Sequence, residues 1–215
     1  MTSSNTSPLQ LRRIEKPDLD LHSYLTEDDE CYYLYEYTSR RNFSFSPVNG
    51  LISNLKKCPE RFRNTNVWRY KEDAIRQCGE DFRKTINPEF VKEATFVPVP
   101  PSKAKNDPKF DDRMSRVART FSPDVRDMVV QATSTQAAHA SGDGQRITIP
   151  ELVKLYTFEP TLLSPTPSTI AIIDDVLTNG THFKAMQEVL SGQFPKARII
   201  GFFVARRIFP TEAAI

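Results

Sequence analysis

The stretch that most constrains this 215-residue chain begins at Thr169 and ends near residue 205. It opens on the apolar run TIAII at 169–173 and passes through two acids and a polar turn. Phe183, Met186, Val189 and Leu190 then follow at helical spacing, and ARIIGFFVA closes the stretch at 197–205. Unbroken apolar runs rich in β-branched residues read as strands covered on both faces. Two such strands joined by a helix within about forty residues predict a right-handed parallel crossover. The expected fold class is therefore α/β, a twisted parallel sheet flanked by helices.

The rest of the chain is punctuated by proline. Sixteen prolines against seven glycines place most element ends at X-Pro steps, where the residue before proline avoids helical angles. Residues 1–28 are polar and are expected to form a flexible N-terminal tail. Residues 31–45, CYYLYEYTSRRNFSF, have the composition of strands. Ser46-Pro47 opens a helix carrying Val48, Leu51, Ile52 and Leu55 on one face. A second helix spans 68–86 with Ile75, Cys78, Phe82 and Ile86 inward, and Asn87-Pro88 stops it. ATFVPV at 94–99 reads as a short buried strand. Asp111 and Asp112 open another helix, with Met114, Val117, Ala118 and Phe121 at helical spacing. The small polar loop 133–145, with Gly142 and Gly144 as hinges, has the composition of an active-site lid and equally of a surface connection.

Composition removes several function classes. Lys+Arg 29 against Asp+Glu 27 leaves a formal net charge of +2, too small to identify nucleic acid or an anionic membrane as the partner. No apolar run approaches the ~20 residues of a membrane helix. Cys31, Cys58 and Cys78 are widely spaced with no CxxC pair, so neither a zinc ribbon nor a disulfide framework is supported. With no leader-like stretch in MTSSNTSPLQLRRIEK, a cytoplasmic protein is expected. His22, His139 and His182 form no HxxxH pairing, so no metal ligands are assigned. The basic run Lys56, Lys57, Arg61, Arg63, Arg69 and Lys71 is diluted by Glu60, Glu72 and Asp73 and reads as a solvated surface.

The chemistry concentrates in IIDDVLTNGTH at 172–182. Two carboxylates fall where a buried strand is expected to meet solvent, the edge at which open α/β sheets bind ligands. Successive strand residues point to opposite faces, so Asp174 and Asp175 diverge. The loop of Thr178, Asn179, Gly180 and Thr181 feeds a helix whose N-terminal amides suit a phosphate. Gly180 either lets the main chain approach the anion or adopts positive φ. Acids followed by a phosphate cup suit a sugar phosphate.

This segment resembles the phosphoribosyl pyrophosphate (PRPP) signature of type I phosphoribosyltransferases: an apolar run, D-D, an apolar residue, any residue, then T-T-G-x-T. Asp174, Asp175, Thr178 and Gly180 match it. Asn179 stands for the second Thr and His182 for the last, with Thr181 adjacent. TFVPVPPSKAK at 95–105, followed by Phe110-Asp111-Asp112-Arg113, resembles the V-P-V-P strand and loop of ComF-like members. Thr133 and Gln136 echo a T-x-x-Q spacing of their flexible loop.

The resemblance implies a phosphoribosyltransferase-like core at 94–215 and an α-rich N-terminal hood at 29–93. The reaction it implies is displacement of pyrophosphate from PRPP by a nitrogen acceptor, a nucleobase-like amine. Mg2+ arrives with PRPP, held largely by ligand oxygens and water. Asp174 and Asp175 are the implied catalytic pair, holding the ribose hydroxyls. Val176, Leu177, Thr178, Asn179, Gly180, Thr181 and His182 clamp the 5-phosphate. Ser102, Lys103 and Lys105 serve the pyrophosphate, with Arg146 able to close over it. Asp111, Asp112 and Arg113 either contact substrate or form a helix turn with Arg113 paired to a neighbour. The altered TNGTH loop leaves open a non-catalytic ligand sensor on the same fold. A homodimer and a protein or nucleic-acid partner also stay open.

Overall fold

β-branched and aromatic side chains pack well on a pleated surface, and here they draw four segments into one sheet, with a fifth, two-residue strand on its edge. The computed structural model describes residues 8–134 and 147–210. In chain order the elements are β1 (Arg12–Arg13), a 3-10 turn (Lys16–Leu21), β2 (Cys31–Thr38), α1 (Pro47–Leu55), α2 (Pro59–Phe62), α3 (Trp68–Thr85) and α4 (Pro88–Glu93). There follow β3 (Thr95–Pro98), α5 (Arg113–Arg119), β4 (Val129–Gln131), α6 (Ile149–Leu155), β5 (Tyr156–Phe158), a second 3-10 turn (Pro160–Leu162), β6 (Thr169–Leu177), α7 (Thr181–Gln193) and β7 (Arg198–Ile208).

The central sheet has the order β1-β2-β7-β6-β3. Pairings β2/β7, β7/β6 and β6/β3 are parallel, and β1 lies antiparallel on the β2 edge. β4 and β5 form a separate antiparallel ribbon. The chain is thus α/β with a mixed, mostly parallel sheet between helices. Alternation splits the core in two. Phe96, Ala171, Ile173 and Phe202 pack with Leu55, Ile75, Cys78 and Phe82 on one face. Val97, Ile170, Ile172 and Phe203 pack with Phe183, Met186 and Leu190 on the other.

Local chemistry explains the helix starts. Ser46 caps α1 by accepting from the Asn49 amide, with Pro47 at the first helical position. Asn87 does the same for α4 through Glu89 N–H, 2.8 Å away. Among the described residues no helix is long and apolar enough to cross a membrane.

Three expectations need correction. Residues 9–28 are not a free tail: Ile14, His22 and Leu25 are buried and β1 joins the sheet. The core does not begin at residue 94, because β2 lies inside the central sheet and Leu34, Leu55 and Phe82 share one core with Phe96 and Phe202. Nor does β6 end at the acids. It runs on to Leu177, which pairs with Arg206 of β7, because cations on neighbouring elements neutralise Asp175 inside the strand. The expected lid at 133–145, with Gln136, His139, Gly142 and Gly144, lies outside the described residues apart from Thr133 and Ser134, and so does Arg146.

Candidate functional site

Where β6 leaves the sheet, a thirteen-residue helix begins, and its first turn carries amide groups without intrahelical partners. Gly180 makes the junction at φ 93°, a left-handed conformation that glycine adopts without steric cost. Of the two roles open to Gly180, positive φ is the one observed. A Cβ there would meet Leu25 Cδ2 at 3.0 Å, so the residue is packed from behind rather than facing the ligand side. The Thr178 and Thr181 hydroxyls both donate to Asn179 Oδ1, at 3.2 and 2.9 Å. Asn179, the departure from the signature, thus ties the two hydroxyls of the cup together.

The cup is braced by residues 22–25, a contact that no sequence signal announced. Tyr24 N–H donates to the Asn179 carbonyl at 2.9 Å, and His22 Nδ1 meets the Thr178 carbonyl. His22 is fully buried, and burial lowers its pKa from the ordinary histidine value.

The two acids diverge as strand alternation requires, into different electrostatic surroundings. Asp175 is 4% exposed. Its Oδ1 lies 2.9 Å from Lys56 Nζ, and its Oδ2 accepts from Arg113 Nε at 2.8 Å. Burial works against its charge, but Lys56 and Arg113 outweigh it and hold the carboxyl well below the usual carboxylate range. Asp174 is half-buried and forms no ion pair among the described residues. Its Oδ1 accepts the Asp175 amide at 2.7 Å. Desolvation, and then the charge of Asp175, push it up to about 7. One carboxyl is locked as an anion, and the other titrates near neutrality.

Arg113 also reaches Asp111, 2.8 Å away, and Asp111 pairs with the fully buried Lys71 at 2.8 Å. The segment 111–113 therefore leads into α5, which starts at Arg113 with Asp112 as its N-cap, and Arg113 is paired to neighbours while all three residues line the same cavity. A chain of alternating charges runs Lys56, Asp175, Arg113, Asp111, Lys71, from α1 across β6 to α3.

All of these but the buried Lys71 line a cavity of about 460 Å3, within the range of small-molecule sites. It brings together Ser102 of the loop after β3, Asp111, Asp112 and Arg113, both acids of β6, and Val176, Thr178, Asn179, Thr181 and His182. Lys103 and Lys105 do not line it. They face an adjoining cavity of about 250 Å3 that shares Pro100, Pro101 and Asp112. Leu177 is a core residue, 2% exposed. His182 hydrogen-bonds the Tyr156 hydroxyl through Nδ1 at 3.0 Å, and burial lowers its pKa, so at neutral pH it is an uncharged imidazole. Lys56 and Arg207 also line the cavity, and neither was singled out by sequence. Lys56 sits in a basic run that reads as surface, and Arg207 lies near the end of β7, past the apolar run 197–205, with no motif around it. No protein-family model matches the chain, and no curated protein matches it.

Proposed function

We propose that the cavity at the carboxyl end of β6 binds PRPP with Mg2+ and that the protein transfers its phosphoribosyl group to a nitrogen acceptor, releasing pyrophosphate. One observation carries this reading. Asp174, a carboxyl without an ion-pair partner among the described residues, shares a cavity with a phosphate cup at the start of α7. The parallel β6–α7–β7 unit supports a type I phosphoribosyltransferase-like core.

On this reading Thr178, Asn179 and Thr181 hold the 5-phosphate by hydroxyl, amide and backbone donors, and the dipole of α7 adds favourable potential. Asp174 accepts from the ribose hydroxyls and places negative charge beside the cation that develops at C1. Asp175 is a positioning residue, holding Lys56 and Arg113 at the cavity wall. The loop 100–102 borders the pyrophosphate, with Lys103 and Lys105 on its other side. Mg2+ fits as an ion carried in by the ligand. Asp174 offers it one hard oxygen donor. It supplies neutralisation of the pyrophosphate charge.

A second reading, a non-catalytic ribose-phosphate sensor, is favoured by one feature: Asp175 is already consumed by Lys56 and Arg113. Calorimetry with Mg-PRPP, paired with a pyrophosphate-release assay over a panel of nucleobases and simple amines, separates the two. Binding with release supports transfer, and binding without release across the panel supports the sensor. No binding of PRPP or ribose 5-phosphate overturns both.

A further inference from the structure

Exposed aromatic side chains in this molecule are not scattered. Among the described residues the exposed large apolar side chains are Phe43, Phe45, Val67, Tyr70, Phe209 and Tyr24. All but Tyr24 flank the two ends of α1 or the end of β7. The exposed rings of Phe45, Tyr70 and Phe209 each lie against a cation. At the C-terminal end of α1, Lys57 and Arg69 lie 5.9 and 4.9 Å from the Tyr70 ring centroid. Beside it, Arg61 lies 5.1 Å from Phe62 and Arg63 lies 5.7 Å from Trp68. At the N-terminal end, Arg41 lies 5.3 Å from Phe45, and Arg40 and Arg207 lie 5.5 and 4.9 Å from Phe209.

The acids that dilute this run in sequence each have another cation as partner. Glu60 pairs with Lys109, Glu72 with Arg116 and Asp73 with Arg76. Lys57, Arg61, Arg63 and Arg69 form no ion pair with a described carboxylate. A chain of formal net charge +2 therefore carries a locally basic, aromatic strip. The nine residues of α1 separate its two ends by about 13.5 Å. Lys56, at the C-terminal end of α1, and Arg207, near the end of β7, both line the cavity.

We propose that this strip binds single-stranded nucleic acid. Phosphates of a single strand need dispersed cations, and its unstacked bases need flat surfaces, which aromatic rings and guanidinium planes both supply. Rings held against cations within about 6 Å are poor wedges for a lipid bilayer and good platforms for bases. Only one aliphatic side chain, Val67, is exposed within the strip, which speaks against an acyl-chain partner. The inference is independent of what fills the cavity.

The test is fluorescence anisotropy of the full chain with a 3′-labelled oligo(dT) or oligo(rU) of about twenty nucleotides, and with a duplex of equal length. The single strands are expected to bind more tightly than the duplex, with affinity falling log-linearly between about 50 and 200 mM salt. Arg61→Glu with Arg63→Glu is expected to weaken binding about tenfold or more and to flatten the salt slope. Tyr70→Ala and Phe43→Ala are each expected to weaken it about fivefold or more without changing that slope. Circular dichroism confirms folding of each variant. Mg-PRPP affinity, read in parallel, stays unchanged in all of them, so failure of the strip and failure of the cavity are distinguishable. Absence of single-strand binding at low salt overturns the proposal. So does equal affinity for duplex with indifferent aromatic variants, or binding that survives the double charge reversal. Pelleting with phosphatidylserine vesicles in place of oligonucleotide binding overturns it as well.

Discussion

Lys56, at the C-cap of α1, closes an ion pair with Asp175 near the carboxyl end of β6, Nζ to Oδ1 2.9 Å. The pair joins a segment that reads as solvated surface to one that reads as a ligand site. It divides the labour of the two adjacent acids. Asp175 is a fixed counter-ion for Lys56 and Arg113, and Asp174 is left to meet a ligand.

Substituting the two acids one at a time exposes this division. Asp174→Asn keeps an oxygen for the Asp175 amide and is expected to fold normally while losing Mg-PRPP affinity. Asp175→Asn leaves Arg113 and Lys56 without their shared anion and is expected to cost about 2–4 kcal/mol. The cost stays near the lower end because Lys56 is partly solvated. Calorimetry and urea unfolding of both variants are the measurements. Equal loss of stability in the two contradicts the assignment.

The pH dependence of stability carries a second test. The Asp174 pKa rises from 3.8 to about 7 on folding. Between those values the native state binds more protons than the unfolded state, so this residue makes stability fall as pH rises. Asp174→Asn removes that slope. The variant is expected to gain on the parent protein from pH 4 to pH 8 by about 1 kcal/mol or more. His22 and His182, with lowered pKa values, act the other way. Below their unfolded value of 6.5 the unfolded state binds more protons, and stability falls as pH falls. That contribution is common to both proteins and cancels in the difference. A pH-independent gap between the two unfolding curves refutes the elevated Asp174 pKa.

The ends of the charge chain should differ in weight. Lys71 is fully buried, with Nζ 2.8 Å from Asp111 and 2.5 Å from the Leu55 carbonyl. Lys71→Met is expected to cost about 3 kcal/mol or more, since Asp111 and a carbonyl both lose a buried donor. Lys56→Met is expected to cost about 1 kcal/mol or less, because Lys56 is 39% exposed and Asp175 keeps Arg113. Urea unfolding ranks them. A larger loss for Lys56 reverses the order of burial proposed for the network.

What was legible in the sequence follows from what is local. β6, α7 and β7 announce themselves through long apolar runs and a helical stripe, and α1 through Ser46-Pro47. Helices α2 and α4 span four and six residues, less than two turns, so no periodicity marks them. β1 is two exposed arginines, held by its partner strand rather than by its own composition. In the site, the order of acids, polar turn and helix was readable because all of it lies within eleven residues. Lys56 and the brace at 22–25 were not. Their roles arise from contacts more than a hundred residues away in the chain, and a polar segment shows no pattern that reveals what it will lie against.

Gly180 offers the last prediction, and its physics lies behind the phosphate cup rather than in it. At φ 93° a side chain is strained whatever the space, by about 1–2 kcal/mol. An added Cβ would also press on Leu25 at 3.0 Å, and Leu25, 6% exposed, is itself packed in the core. Gly180→Ala is therefore expected to lower stability by about 2 kcal/mol or more, and Gly180→Val by more still. Gly180→Asn carries the same Cβ but tolerates left-handed angles, so it is expected to lose less than Gly180→Ala. Adding Leu25→Ala to Gly180→Ala is expected to cost less than the sum of the single losses, as residues in contact do. Urea unfolding of the four variants and the double variant measures this. Ribose 5-phosphate affinity of folded Gly180→Ala is expected to match the parent protein, since the new methyl points at Leu25. Strict additivity of the two substitutions, or loss of phosphate binding with stability intact, would place Gly180 on the ligand side of the loop after all.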